Sequence, residues 1–302
     1  HGEGVEINYN IASKLFKKAA DRGHPVAMNN YAMMLKKGKG IEVNYKEAIK
    51  YFKMAINHGY SLAIYNYATM LENGEGVEVN YEEAIKYYKM AIDKGVPYAM
   101  NNYAAMLENG EGVEVNYEEA LKYYKMSADE GYPVAMHNYA NMLLNCEGIK
   151  VDYKEVAKYL KMAADNGIAI SMNNYANMVK NGEGVEVNYE EAIKYFKMAI
   201  DSGYPIAMYN YAAMLEHGDG VEVNYEESLK YYKMASDKGL PIAMNSYANM
   251  LKNGDGVEVN YEEALKYYKM ASDKDFTESM YNYANLLDKC EGTEDKYNEV
   301  IK

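Results

Sequence analysis

The sequence is short of cysteine and of basic charge, and it has no long apolar run. Each lack excludes something. Lys and Arg number 32 against 45 Asp and Glu, a formal net charge of −13. Non-specific nucleic-acid binding needs a basic footprint, and so does docking on an anionic membrane. Neither is expected. The sign fits a soluble chain kept apart by self-repulsion, or one with basic partners. No stretch approaches the ~20 apolar residues that span a bilayer, so no membrane insertion is expected.

Only Cys146 and Cys290 could form a disulfide, and they stand 144 residues apart. Helix layers stacked at ~8–10 Å put that separation at several tens of Å. A disulfide needs Cα atoms within ~7 Å. Two thiols are therefore expected, which favours a reducing, cytoplasmic compartment. The lack of any Asn-x-Ser/Thr acceptor agrees. Catalytic signatures are missing as well. There is no Gly-rich phosphate motif, no Ser/His/Asp or Cys/His constellation, and no EF-hand ligand spacing. The five His stand at unrelated positions except His1 and His217. No enzyme, cofactor or metal site is expected.

What the chain has in abundance is itself. "NYEEAIKYYKMAIDKG" at 80–95 returns as "NYEEALKYYKMSADEG" at 116–131, and again from Asn188, Asn224 and Asn260. The opening Tyr recurs without a slip at Tyr9, Tyr45, Tyr81, Tyr117, Tyr153, Tyr189, Tyr225, Tyr261 and Tyr297. The period is 36 residues, and complete units fill 8–295. "HGEGVEI" at the start matches "HGDGVEV" at 217–223, so the chain reads as beginning and ending in cut repeats.

Each unit predicts two helices. In 81–94, Asn80 is the N-cap with Glu83 at N3. Ala84, Tyr87, Tyr88 and Ala91 form an apolar stripe at 3–4 spacing, and Gly95 ends the helix. The second helix is 97–109, with Pro97 at its first position. Ala99, Met100, Tyr103, Ala104, Met106 and Leu107 share its core face, while Tyr98, Asn101, Asn102, Ala105 and Glu108 share the other. "GEGVEV" at 110–115 is a loop. No strand signal appears. The expected fold is an all-α, right-handed α-α superhelical solenoid of about eight helix-turn-helix repeats, one array over 1–302. A lone helix pair cannot close its own core, so stacking must.

A longer period of 144 runs inside the short one. Phe52 pairs with Phe196, Tyr65 with Tyr209, Tyr60 with Tyr204, Val156 with Val300, and Cys146 with Cys290. A block of four repeats was duplicated. Cys in place of a left-handed Gly costs ~1–2 kcal/mol, so the helix end is expected to rearrange there.

The recurring pattern A-M-x-N-Y-A-x-M-L-x-x-G-x-G-V-x-x-N-Y-x-E-A-x-K-Y-x-K-M-A, complete from Ala99 to Ser127 with Ser for the last Ala, resembles the Sel1-like repeat family, relatives of the tetratricopeptide repeat. The family usually reads Leu-Gly where this chain has Tyr103-Ala104. The resemblance implies a scaffold or adaptor that binds a peptide or protein partner on the concave side of the superhelix. Secreted bacterial members of the family carry regular cysteine pairs in their repeats, which this chain lacks, so it is not expected to belong with them.

If the second helices line that side, their exposed rows are the candidate contacts. One row reads Asn29, Tyr65, Asn101, His137, Asn173, Tyr209, Asn245, Tyr281. Four residues on stand Asn141, Asn177, Asn249 and Asn285. Asn can pair with both the N–H and the C=O of an extended peptide. Tyr adds amphipathic contact at low entropic cost. The neighbouring row of Asn30, Asn66, Asn102, Asn138, Asn174, Asn210, Ser246 and Asn282 lies beside the apolar face and reads as structural. A second possibility is end-to-end self-association through the cut repeats.

Overall fold

A computed structural model describes residues 8–146 and 151–290. They form sixteen helices and no strand. Contacts divide the chain into two compact units, His1–Val151 and Asp152–Lys302. The first holds α1 (Tyr9–Ala20), α2 (Pro25–Lys37), α3 (Tyr45–Asn57), α4 (Ser61–Asn73), α5 (Tyr81–Ile92), α6 (Pro97–Asn109), α7 (Tyr117–Asp129) and α8 (Pro133–Asn145). The second holds α9 (Tyr153–Asp165), α10 (Ala169–Asn181), α11 (Tyr189–Asp201), α12 (Pro205–His217), α13 (Tyr225–Asp237), α14 (Pro241–Asn253), α15 (Tyr261–Ser272) and α16 (Thr277–Cys290).

The odd helices begin where the Asn caps place them. The Asn80 side chain accepts from the Glu83 N–H at 2.9 Å, and its own N–H donates to the Leu71 carbonyl of α4 at 2.9 Å. One residue thus starts a helix and ties it to the helix before. Asn44, Asn116, Asn188, Asn224 and Asn260 make the same pair of bonds. α2, α4, α6, α10, α12 and α14 end on a left-handed Gly, as Gly110 does at φ 74°. α5 stops two residues earlier than its pattern implies, because Asp93–Gly95 close a turn through a Gly95 N–H to Ile92 carbonyl bond of 2.8 Å.

The two glycines of each loop do different work. At Gly110 an added Cβ would be tight only against the Val115 side chain, at 2.9 Å, whereas at Gly112 it would sit 2.2 Å from Tyr81 Cβ. The loop leaving α6 therefore lies against the first residue of α5, where nothing larger than hydrogen fits. Cys146 shows how the first position is relieved. It caps α8 at φ −79° and ψ 117°, extended rather than left-handed, so the helix end does rearrange. Cys146 is a thiol. Residues 291–302, including Tyr297 and Val300, lie outside the described residues.

The core follows the pattern. Ala84, Tyr88 and Ala91 are buried against Ala99, Met100, Tyr103, Ala104, Met106 and Leu107. Each large side chain so enclosed contributes roughly 1.5–3 kcal/mol. Helices joined by a glycine loop, such as α6 and α7, pack more closely than those joined by the short turn, such as α5 and α6. On the odd-helix side a ladder of rings and cations runs along each unit. Tyr67 meets the Tyr87 ring edge-on at 4.8 Å, with Lys53 Nζ 5.0 Å from the Tyr67 centroid. Tyr175, Tyr195 and Lys161 repeat the arrangement at 4.8 and 5.2 Å.

Candidate interaction surface

The expected contact row splits in two. Its rings stay partly accessible: Tyr65, His137 and Tyr209 are half-buried, and Tyr281 is 68% exposed. Its asparagines do not. Asn29, Asn101, Asn173 and Asn245 are only 5, 7, 3 and 3% exposed, so the expectation that they face solvent is corrected. The reason is a bond to the next even helix. Asn66 donates to the Asn29 carbonyl oxygen at 2.8 Å, Asn138 to Asn101 at 2.9 Å, Asn210 to Asn173 at 2.8 Å, and Asn282 to Asn245 at 3.0 Å. The Asn29, Asn101 and Asn173 amides donate in turn to their sequence neighbours Asn30, Asn102 and Asn174. A buried amide needs such partners. The neighbouring Asn row is half-buried and is the other half of each bond.

The row four residues on is more open. Asn141 and Asn285 are exposed, and Asn177 and Asn249 are half-buried. Asn141 lines a cleft of about 370 Å³ with Glu108, Asn109, Tyr117 and Asn145. Asn285 and Tyr281 line one of about 310 Å³ with Lys252, Asn282 and Lys289. Asn249 accepts from the Tyr268 hydroxyl at 2.5 Å. Burial pushes the His137 imidazole below its ordinary pKa.

Sequence reasoning missed a second pattern on this side. Residues 16 apart across each glycine loop are matched. Where the odd helix offers Tyr, the preceding even helix offers Glu. The Tyr88 hydroxyl donates to Glu72, Tyr124 to Glu108 at 2.7 Å, and Tyr232 to Glu216 at 2.7 Å. Where the odd helix has Phe52 or Phe196, the even helix has Lys36 or Lys180. Those lysines turn instead to a loop acid, Glu75 at 2.6 Å and Asp219 at 3.5 Å. At the same spacing the sequence pairs Leu144 with Leu160, and only Lys252 with Tyr268 departs from the scheme. The co-variation was visible in the sequence, had positions been compared across the loop.

The physical cause is a half-buried carboxylate that needs a donor. Burial pushes the Glu72 carboxyl up, while the Tyr88 bond pulls it down. Tyr88→Phe alone should cost about 1–3 kcal/mol by removing the hydroxyl that donates to it. Glu72→Lys alone removes the acceptor of a buried hydroxyl. Together they recreate the Phe196–Lys180 pair, with Glu111 standing where Asp219 serves Lys180. Denaturant melts of the four proteins should give a double-mutant coupling of about 1–2 kcal/mol in favour of the pair. Simple additivity would refute the matching.

Tyr65, Tyr98 and Tyr132 join this group. The Tyr65 and Tyr98 rings are 5.7 Å apart, Tyr98 and Tyr132 4.8 Å, and Tyr65 and Tyr88 6.1 Å. Asn102 donates to the Tyr88 hydroxyl at 3.1 Å. The Tyr65 phenol is pushed up to about 12 by burial, with Tyr132 and Glu72 adding to it. Among the described residues no three of His, Cys, Asp and Glu gather as a metal would need. No described helix is long and apolar enough to cross a membrane.

A family model for the Sel1 repeat matches 1–24, 25–60, 61–96, 97–132, 133–168, 169–204, 205–240 and 241–276. The chain belongs to the Sel1 repeat family. The matched frame joins an even helix to the odd helix after it, which is the closely packed, glycine-looped pair seen here. Among solved structures, it resembles a protective antigen of uropathogenic Escherichia coli strains, at 26% identity and a TM-score of 0.84. That likeness covers 92% of this chain and 60% of the antigen, so this chain spans less than two thirds of that protein's length. A Sel1 repeat protein of Oxalobacter formigenes is also similar, with 26% identity, a TM-score of 0.68, and 76% and 94% of the two chains covered. Among curated proteins no sequence matches. The Sel1 repeat is generally a non-catalytic protein-interaction scaffold.

Proposed function

We propose that this chain is a non-enzymatic scaffold that takes an extended segment of a protein partner along the open side of its even helices. The observation that supports this most is the accessibility of that side. Tyr65, His137, Tyr209, Asn177 and Asn249 are half-buried, and Asn141, Tyr281 and Asn285 are exposed, on helices whose other face is closed core. Rings and amides there offer apolar area beside donors and acceptors, which suits a peptide backbone. Asn29, Asn101, Asn173 and Asn245 take a different role in this reading. They hold the even helices in register beneath the contact surface.

The test separates the two sets. Affinity capture from the native lysate would compare the wild type with a surface variant of exposed residues, Asn141→Ala, Tyr281→Ser and Asn285→Ala. The surface variant should lose partners while its melting temperature changes little. A register variant, Asn101→Ala with Asn173→Ala, should lose stability first, by roughly 1–3 kcal/mol per site. Identical partner lists for the wild type and the surface variant would move binding off this side.

A further inference from the structure

Several tyrosine pairs of the array come with a lysine. Lys89 Nζ stands 5.0 Å from the Tyr103 centroid, Lys197 5.4 Å from Tyr211, and Lys233 5.7 Å from Tyr247. The cluster of Tyr65, Tyr88, Tyr98 and Tyr132 differs. Among the described residues no lysine lies over any of these rings, and the cation that acts on the Glu72 carboxylate, Lys36, is itself paired with Glu75 at 2.6 Å. Phenol oxygens, one amide and a half-buried carboxylate converge instead. Tyr98 keeps 41% of its surface open to solvent.

The cluster is built at one place only. The row containing Tyr98 reads Val26, Leu62, Tyr98, Val134, Ile170, Ile206, Ile242 and Glu278, so no other repeat supplies this ring. The related group around Glu216 has Tyr209 and Tyr232 at 5.5 Å but Ile242 where Tyr98 would be. The same molecule also shows that this place accepts a cation. At the position of Glu72 a later repeat carries Lys252, whose Nζ stands 6.0 Å from the centroid of Tyr268, the counterpart of Tyr88. There the cation is built in. Between α4 and α6 its seat is lined with rings and a carboxylate.

We propose that this cluster anchors a cationic side chain of the partner segment, arginine in preference to lysine. The inference rests on the scaffold reading above and adds the chemistry of one contact. A guanidinium can lie on a tyrosine ring while its N–H fork meets a carboxylate, which a compact ammonium does less well. Glu72 supplies the carboxylate, Tyr65, Tyr98 and Tyr132 the rings, and Glu111 adds to the negative potential nearby. The chain's net charge of −13 draws a basic segment in the same direction.

The probe is N-acetyl-arginine methylamide, with the neutral citrulline analogue beside it, titrated at low salt into protein carrying ¹³C-labelled tyrosine. Saturable shifts should be confined to Tyr65, Tyr98 and Tyr132 and should be much smaller with citrulline. Glu72→Gln keeps an acceptor for the Tyr88 hydroxyl and so should fold. It should weaken the arginine response roughly tenfold or more, the scale of a hydrogen bond to a charged group. Tyr98→Leu should weaken it about three- to tenfold, and Glu216→Gln should leave it unchanged. Equal shifts with citrulline, or an arginine response indifferent to Glu72→Gln in a variant that melts normally, would overturn the anchor. If capture still depends on the surface residues in that case, the scaffold reading stands without it. If arginine binds as expected while capture ignores those residues, the scaffold reading fails and the cation site remains.

Discussion

Titrated with base, the protein is expected to unfold cooperatively between about pH 10 and 12, with its tyrosines ionising together as the helices melt. The sequence has 35 Tyr and no Trp. Many of those rings are enclosed with their hydroxyls in carboxylate bonds. Burial is the main cause that lifts the phenols of Tyr65, Tyr247 and Tyr268 to about 12. Burial also raises Tyr124 and Tyr232, with the bonds to Glu108 and Glu216 adding to it, and raises Tyr195, with Asp165 adding to it. The unfolded chain ionises near pH ~10. The sign follows from linkage. Below that pH both states hold the proton and the stabilisation is complete. Above it the unfolded state releases protons that the folded state keeps, so stability falls until the folded pKa is passed. Each unit of mismatch is worth about 1.4 kcal/mol before solvent screening reduces it, and several tyrosines act together. Tyrosinate absorbance and helical circular dichroism should therefore change in one step. A gradual rise in absorbance with the helices intact above pH 12 would show that the ring ladders are not what holds the stack.

Gly184→Ala should be among the most damaging single substitutions in the chain. Gly184 has φ 71°, and a Cβ there would lie 2.2 Å from the carbonyl carbon and oxygen of Tyr153, the first residue of α9. That neighbour is main chain and cannot swing aside. Left-handed strain of ~1–2 kcal/mol adds to overpacking of ~1–3 kcal/mol, for about 2–5 kcal/mol in all. Two glycines nearby serve as controls. Gly182 has φ 76°, and the one tight neighbour of its Cβ would be Val187 Cγ2 at 2.9 Å, a methyl that can rotate away. Gly167 has φ 90° and open space around it. Their alanine variants should each cost about 1–2 kcal/mol. Denaturant midpoints should rank Gly184→Ala well below the other two. Equal losses would mean that the loop does not rest on the preceding helix.

The same contrast shows what could be read beforehand. The first Gly of the motif gives way to Cys at 146 and 290, but the second stays Gly in the sequence at 40, 76, 112, 148, 184, 220, 256 and 292. Periodicity exposed the helices, their caps and nearly all the core, because each depends on residues within one turn or one period. Asn101 was misplaced because its partner, Asn138, sits on another helix. A helical wheel cannot show a bond made 37 residues away. A trace was present nonetheless. Ser246 is the one break in the neighbouring Asn row, and it follows Tyr209, where no buried amide awaits it. Tyr98 stood out only as an exposed residue, since the rings around it come from two other helices and a turn.

The Tyr–Glu and Phe–Lys pairs bear on how such a chain can lengthen. Both members of a pair lie on either side of one glycine loop, as Glu72 and Tyr88 do. A crossover between misaligned gene copies that falls within a loop would join Lys to Tyr or Glu to Phe. One that falls in the short turn at Gly95 would pass both members on together. Repeats inherited or grafted as an even helix with the odd helix after it bring their own lock and key.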